Sequence, residues 1–336
     1  MLVCISDFAV TLVRRQVSKS TTYLSKPISL LGSVEGHSAT IMSNRYLVRE
    51  VESKQELDEV LEVIWAANHT PYEPFIQLFF PVLGFTATHR KAALAESKER
   101  FWRQHIFDLS SHWFYAFDTV TKKAVGCAQW VISTDNPFVE GVPKLEAPWW
   151  PEGECRKFCE SILNQVYKPR ANWMTRPHCG KWSMSNLTVL ELYEILLYFS
   201  TPTPLSDWDN ANVVPALNWM AVHPAHRLCG IGSLLMEIGI QKADILELEC
   251  WLEGSSMGKP VYEKFGFQAL FRIAFDTELA GATEEWRKYA HEMTPAPVFA
   301  MWRPKRGLWK LEDGREVGMP WTLGNQPITT GTTQES

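Results

Sequence analysis

The 336-residue chain lacks any uninterrupted run of about 18 apolar residues, the length a bilayer-crossing helix needs, so no transmembrane segment is predicted. Cysteines are few and irregular: Cys4, Cys127, Cys155, Cys159, Cys179, Cys229 and Cys250. An odd, scattered set excludes a disulfide framework and predicts a reducing, cytoplasmic setting. Cys155, Cys159, His178 and Cys179 match no zinc-ligand spacing, and no metal is expected there. Positive charge is not in excess either. Lys and Arg number 33 against 38 Asp and Glu, a net charge of −5, which argues against a general nucleic-acid binder. There is no internal repeat.

Against these absences stand an ordinary apolar content of 46% and fifteen tryptophans, large rings that serve both cores and ligand pockets. Residues 1–43 are rich in Ser and Thr, and read as a disordered leader or a gene-model extension upstream of Met42. A loose likeness to a transit peptide leaves mitochondrial delivery as the alternative location. The ordered domain is expected over 44–304, with a tail over 305–336. Tyr46–Glu50 reads as a first strand. Ser53 and Glu56 then form a capping-box pattern before Leu57, Val60, Leu61 and Ile64 at helical spacing. Pro71 and Pro74 break that helix, and a polar helix follows over about 88–105. Trp113–Phe117 and Ala124–Ile132 read as a hairpin.

Residues 135–212 interrupt the pattern as a large insertion. They hold eight of the twenty prolines and Trp149, Trp150, Trp173, Trp182 and Trp208. Helices are expected over about 154–167 and 188–199. The insertion is either a packed excursion or a wall of a ligand pocket. From 217 onward the order is strand (217–223), glycine turn, helix, strand (246–252), short helix (258–265) and strand (267–275), with a last strand over 298–302.

The chemistry gathers at His223-Pro224-Ala225-His226-Arg227-Leu228-Cys229-Gly230-Ile231-Gly232-Ser233. A glycine turn between a strand and a helix aims backbone N–H groups at one point, and the helix N-terminus adds unpaired donors and a positive dipole end. Such a turn suits a phosphate or pyrophosphate. Gly230 and Gly232 let the backbone approach an anion closely. No Gly-Lys-Ser/Thr follows, and the third glycine of a dinucleotide fingerprint is missing.

Arg227-Leu228-Cys229-Gly230-Ile231-Gly232 resembles the signature of the GNAT superfamily of N-acetyltransferases: Arg or Gln, two residues, Gly, one residue, then Gly or Ala. Tyr262-Glu263-Lys264-Phe265-Gly266-Phe267 resembles that family's second element. The resemblance covers about 60 residues. It implies a mixed α/β fold, a mostly antiparallel sheet flanked by helices, and acetyl-CoA as co-substrate. Backbone groups of Met220 and Val222 would pair with the pantetheine arm, and the loop from Arg227 through Leu228, Cys229, Gly230, Ile231 and Gly232 to Ser233 would hold the pyrophosphate. Tyr262 matches the general acid that protonates the leaving thiolate. The family's Asn and Ala before the tyrosine are replaced by Ser255 and Gly258, so the contact from Ser255 to pantetheine would differ in reach.

The general base is open between Glu249 and Glu253, expected with Trp251 on one face of a strand; solvated or salt-bridged carboxylates are the competing reading. His223 and His226 are expected to be structural or phosphate-adjacent. The resemblance implies a small amine acceptor reached by direct transfer, with no nucleic-acid or membrane partner. A non-catalytic acyl-CoA sensor and a protein-lysine acetyltransferase stand as alternatives.

Overall fold

The computed structural model describes residues 45–108, 110–133, 138, 144–174 and 214–318. The expected leader, the helix over 188–199, Trp182, Trp208, His178, Cys179 and the end of the tail lie outside the described residues.

Strand β1 (Tyr46–Glu50) leads into helix α1 (Lys54–His69). The capping box forms as expected. Ser53 Oγ accepts from the Glu56 N–H at 3.3 Å, and Glu56 Oε2 accepts from the Ser53 N–H at 3.0 Å. The buried stripe of Leu57, Val60, Leu61 and Ile64 then holds α1 against the sheet. Helices α2 (Phe75–Phe79) and α3 (Ala87–Phe107) follow. Strands β2 (Ser111–Asp118) and β3 (Lys123–Ser133) make the hairpin. Helix α4 (Glu154–Trp173) carries the described part of the insertion. Strand β4 (Val214–Val222) enters the glycine turn, and helix α5 (Ile231–Ile245) leaves it. Strand β5 (Cys250–Gly254), helix α6 (Lys259–Lys264), strand β6 (Gln268–Ile273), helix α7 (Glu284–Met293) and strand β7 (Val298–Arg303) complete the order.

The seven strands lie in the order β1-β2-β3-β4-β5-β7-β6. Among the described residues only β4 and β5 run parallel; every other neighbouring pair is antiparallel. This is the mixed, mostly antiparallel sheet expected from the sequence. Successive residues of β2 feed different apolar clusters: Trp113 and Tyr115 join Leu57, Phe158 and Trp219, while Phe114 and Ala116 join Trp130, Leu235 and Trp251. The sheet therefore lies between two cores.

Three elements differ from expectation. The strand expected over 246–252 begins only at Cys250, because α5 is closed by the chain that follows it: Leu248 N–H returns to Ala243 O at 2.8 Å, and Glu247 takes a positive φ of 53°. Helix α4 does not stop near Tyr167 but passes through Pro169 to Trp173. A proline inside a helix forfeits one backbone hydrogen bond. Here the turn beyond it is held by tertiary contacts, as Trp173 packs edge-on against Trp251 at 6.0 Å and Phe271 at 4.1 Å. Helix α7 was not expected, although Thr283 caps it and Glu284 and Glu285 occupy its first turn.

Candidate functional site

Strands β4 and β5 pair at only two points, Ala216 with Trp251 and Leu217 with Leu252. Beyond Leu217 the two strands part. On its other side β4 stays paired with β3 through Val222, and His223 N–H donates to Val125 O at 2.9 Å. Backbone groups alternate sides along a strand, so those of Ala221 and His223 face β3 and those of Met220 and Val222 face the gap. Among the described residues, the two positions singled out in the sequence thus present unpaired backbone donors and acceptors where an extended ligand can add as a strand.

The chain leaves β4 through a single 3₁₀ turn, Pro224–His226, set by His223 Nδ1 accepting from the Ala225 N–H at 3.3 Å. Tyr46 and His226 Nδ1 share a hydrogen bond of 3.2 Å that ties the turn to β1. The His223 ring, half-buried and near His226 and Arg227, is pushed below the usual histidine range, so it stays neutral to lower pH. Leu228 (φ 61°) and Gly230 (φ 79°) both take left-handed backbone, and they turn the chain sharply into α5.

Along this path the backbone N–H groups of Leu228, Cys229, Gly230, Ile231, Gly232 and Ser233 meet no acceptor among the described residues; the first closed bond is from Leu234 to Gly230 O at 3.2 Å. A Cβ on Gly230 would meet nothing within 4 Å, and one on Gly232 would only graze Val261 and Met220 at 3.9 and 4.0 Å. Packing therefore does not require glycine here. Open space beside a run of unpaired amides at a helix N-terminus is a cradle for a polyanion.

Arg227, the signature arginine, is turned away from this cradle. Its guanidinium donates to Thr70 O at 2.6 Å and Ala67 O at 2.8 Å, the orphaned carbonyls at the end of α1. It anchors the loop to α1. The Cys229 thiol lies 3.5 Å from Arg227 O.

Tyr262 projects from α6 into the second core and is 7% exposed. Burial pushes its hydroxyl up to about 12, so it holds its proton across the working range. Among the described residues no group hydrogen-bonds that hydroxyl. The ring sits close against two glycines. A Cβ on Gly254 would come within 2.9 Å of it, and one on Gly258 within 2.8 Å. The Gly258 departure thus has a physical partner in the tyrosine ring. Ser255 Oγ accepts from the Gly258 N–H at 3.1 Å and caps the approach to α6, so its side chain already has a partner.

Of the two carboxylates only Glu253 lies on the strand itself. Glu249 precedes β5 and is buried, with its Oε2 accepting from Trp302 Nε1 at 2.7 Å. Glu253, on β5, is bound by Arg170 of α4 through both oxygens and accepts from Trp251 Nε1 at 2.6 Å. Arg170 reaches β4 as well, donating to Asn218 Oδ1 at 2.9 Å. Sequence reasoning missed Arg170 and Asn218. No spacing relates an insertion residue to the glycine loop, and Asn218 stands out only as the extra residue of a bulge opposite Gln129 and Trp130.

Residues 204–269 match the family model described as an acetyltransferase (GNAT) domain. No curated protein matches the chain significantly. Solved structures do. A histone acetyltransferase and related acetyltransferase from Corynebacterium glutamicum is 16% identical, covering 78% of this chain and 97% of its own, with a TM-score of 0.40. A mosquito arylalkylamine N-acetyltransferase-like protein is 13% identical, covering 77% and 99%, with a TM-score of 0.39. A polyamine N-acetyltransferase of Drosophila melanogaster is 13% identical, covering 76% and 97%, with a TM-score of 0.37.

Proposed function

Since the chain carries an acetyltransferase (GNAT) domain, we propose that it moves an acetyl group from acetyl-CoA to a small amine by direct transfer. The observation that carries this reading is the run of unpaired amides from Leu228 to Ser233 next to the parting of β4 and β5. The amides would hold the pyrophosphate, and the gap-facing backbone of Met220 and Val222 would pair with the pantetheine arm. A backbone N–H there would also polarise the thioester carbonyl. The amine nitrogen attacks the carbonyl carbon, the carbon–sulfur bond breaks, and the departing thiolate takes the Tyr262 proton. The amine's surplus proton passes to solvent water, and water returns a proton to Tyr262 before the next turnover.

The test is calorimetric binding of acetyl-CoA to the wild type and to Gly232→Asp. Position 232 has room for a side chain, and an acidic residue in a first helical turn is favourable by about 0.3–1 kcal/mol. The variant should stay folded yet lose binding, because its carboxylate occupies and repels the anion site. Equal binding by both proteins would overturn the placement of the cofactor. Binding with no acetylation of any amine would make the chain an acyl-CoA sensor instead.

A further inference from the structure

The insertion sends a charged side chain to the place where the sheet opens. Arg170 is 2% exposed and Glu253 9%. Their partners are distributed across the opening. Glu253 is the first residue of β5, and Asn218 the first of β4, beyond the last paired residues Leu252 and Leu217. Arg170 holds both, with Nη1 on Asn218 at 2.9 Å and Nε on Glu253 at 3.1 Å, and a second bond from Nη2 to Glu253. Its guanidinium also lies 5.0 Å from the Tyr167 ring, one turn earlier on α4.

Two strands that have stopped bonding to each other are thus bridged by one planar group from a third element. A bidentate arginine–carboxylate contact fixes direction as well as distance. Trp251 Nε1 donates to the same carboxylate at 2.6 Å, to the oxygen that also takes the Arg170 Nε–H. Glu253 is held at the closed end of the gap in one orientation.

Resting on the acetyltransferase reading above, we infer that Arg170 is a positioning residue, acting through Glu253 to hold a carboxylate beside the point where acyl group and amine meet. The insertion is then part of the site, since one of its helices aims a β5 side chain. Arg170 acts through Glu253, so losing it should matter only while Glu253 is present.

The experiment is a double-mutant cycle on the full chain with Arg170→Gln, Glu253→Gln and the pair, plus Arg170→Lys. It measures acetyl-CoA affinity, then kcat and KM for an amine the wild type acetylates. Acetyl-CoA affinity should stay within about threefold, because the amide cradle is untouched. Arg170→Gln should lower kcat at least about tenfold with KM for the amine little changed, as expected when orientation is lost. Arg170→Lys should recover part of that loss. The pair should be no slower than Glu253→Gln alone. A folded Arg170→Gln protein with wild-type kcat, or losses that simply multiply in the pair, would overturn the inference. Should Arg170→Gln not fold, Glu253→Gln decides: unchanged kcat overturns it, and a tenfold fall with intact acetyl-CoA binding supports it. A wild type that fails to bind acetyl-CoA overturns the acetyltransferase reading itself, a result distinct from any of these.

Discussion

Tyr262 and Gly258 are two ends of one packing decision. The glycine has ordinary helical backbone (φ −80°, ψ −28°), so alanine there would meet no backbone strain. It would even gain about 0.4–1 kcal/mol by stiffening the unfolded chain. Its Cβ, however, would sit 2.8 Å from Tyr262 Cε2 and 2.9 Å from the hydroxyl oxygen. Overpacking of this kind costs about 1–3 kcal/mol and outweighs the entropy gain. Gly258→Ala should therefore lower the denaturation midpoint and push the ring out of place. With Tyr262→Phe also present, one of the close contacts disappears and the loss should shrink. Additive losses in the double variant would refute the coupling. Tyr262→Phe alone should cut kcat by about 100-fold or more while acetyl-CoA affinity stays near wild type. The wild-type hydroxyl is pushed to about 12 by burial, and the active form is the protonated one. Tyr262 should therefore put no alkaline fall on the rate below that pH, as a pH–rate profile of the wild type can check.

At the scale of elements, the position of α5 decides where its amides point, and that position rests on Gly239. A Cβ on this glycine would fall 1.9 Å from Trp130, a fully buried ring whose Nε1 approaches Leu235 O at 3.4 Å. Gly239→Ala must lift the helix or turn the indole. Either costs about 1–3 kcal/mol, or several degrees in melting temperature. Acetyl-CoA affinity should fall along with stability, since the displaced helix carries Ile231, Gly232 and Ser233. Loss of stability with unchanged affinity would show that the cradle is held by the loop alone. Much of this element's design was legible in the sequence: the glycine turn, the apolar stripe of α5, the strand before it. The start of β5 was not, because Leu246 and Leu248 look like strand residues yet are used to close the helix, Leu248 returning to Ala243. The run of α4 through Pro169 was hidden for a related reason. Local rules place a helix end there, and Arg170 and Trp173 override them through partners on β4, β5 and β6 that no local pattern announces. The same long-range contacts made the roles of Glu249 and Glu253 illegible: one lies under Trp302, the other in the grip of Arg170.

For the molecule as a whole, acid sensitivity should begin at the edge of the sheet. The Arg45 guanidinium holds the Asp118 carboxyl well below the usual carboxylate range, aided by the Val120 N–H and the Thr121 hydroxyl. A carboxylate with a lowered folded pKa contributes stability that is present above its unfolded value, near 4, and lost as pH falls below it. Asp118→Asn should flatten the dependence of melting temperature on pH below about 4 while lowering stability at neutral pH. An unchanged acid slope would show that other carboxylates set it.

Backbone pairing along the sheet is also uneven: β1 to β4 and β5 to β6 are paired through two residue pairs, with the Arg170 bridge beside them. A ligand added along β4 would complete the sheet there, and the alternation of backbone groups says which amides would register it. Ala221 and His223 face β3, and the His223 N–H already donates to Val125 O. Met220 and Val222 face the gap. Hydrogen exchange followed residue by residue should then show Met220 and Val222 slowing sharply on addition of acetyl-CoA, with Ala221 and His223 slow before and after. General stabilisation by a bound ligand, about 2.7 kcal/mol at a hundred times Kd, would slow amides that open only on global unfolding, whichever way they point. Slowing confined to alternate residues distinguishes strand addition from that background. Equal slowing at all four positions would mean that the ligand stabilises the fold without lying along β4.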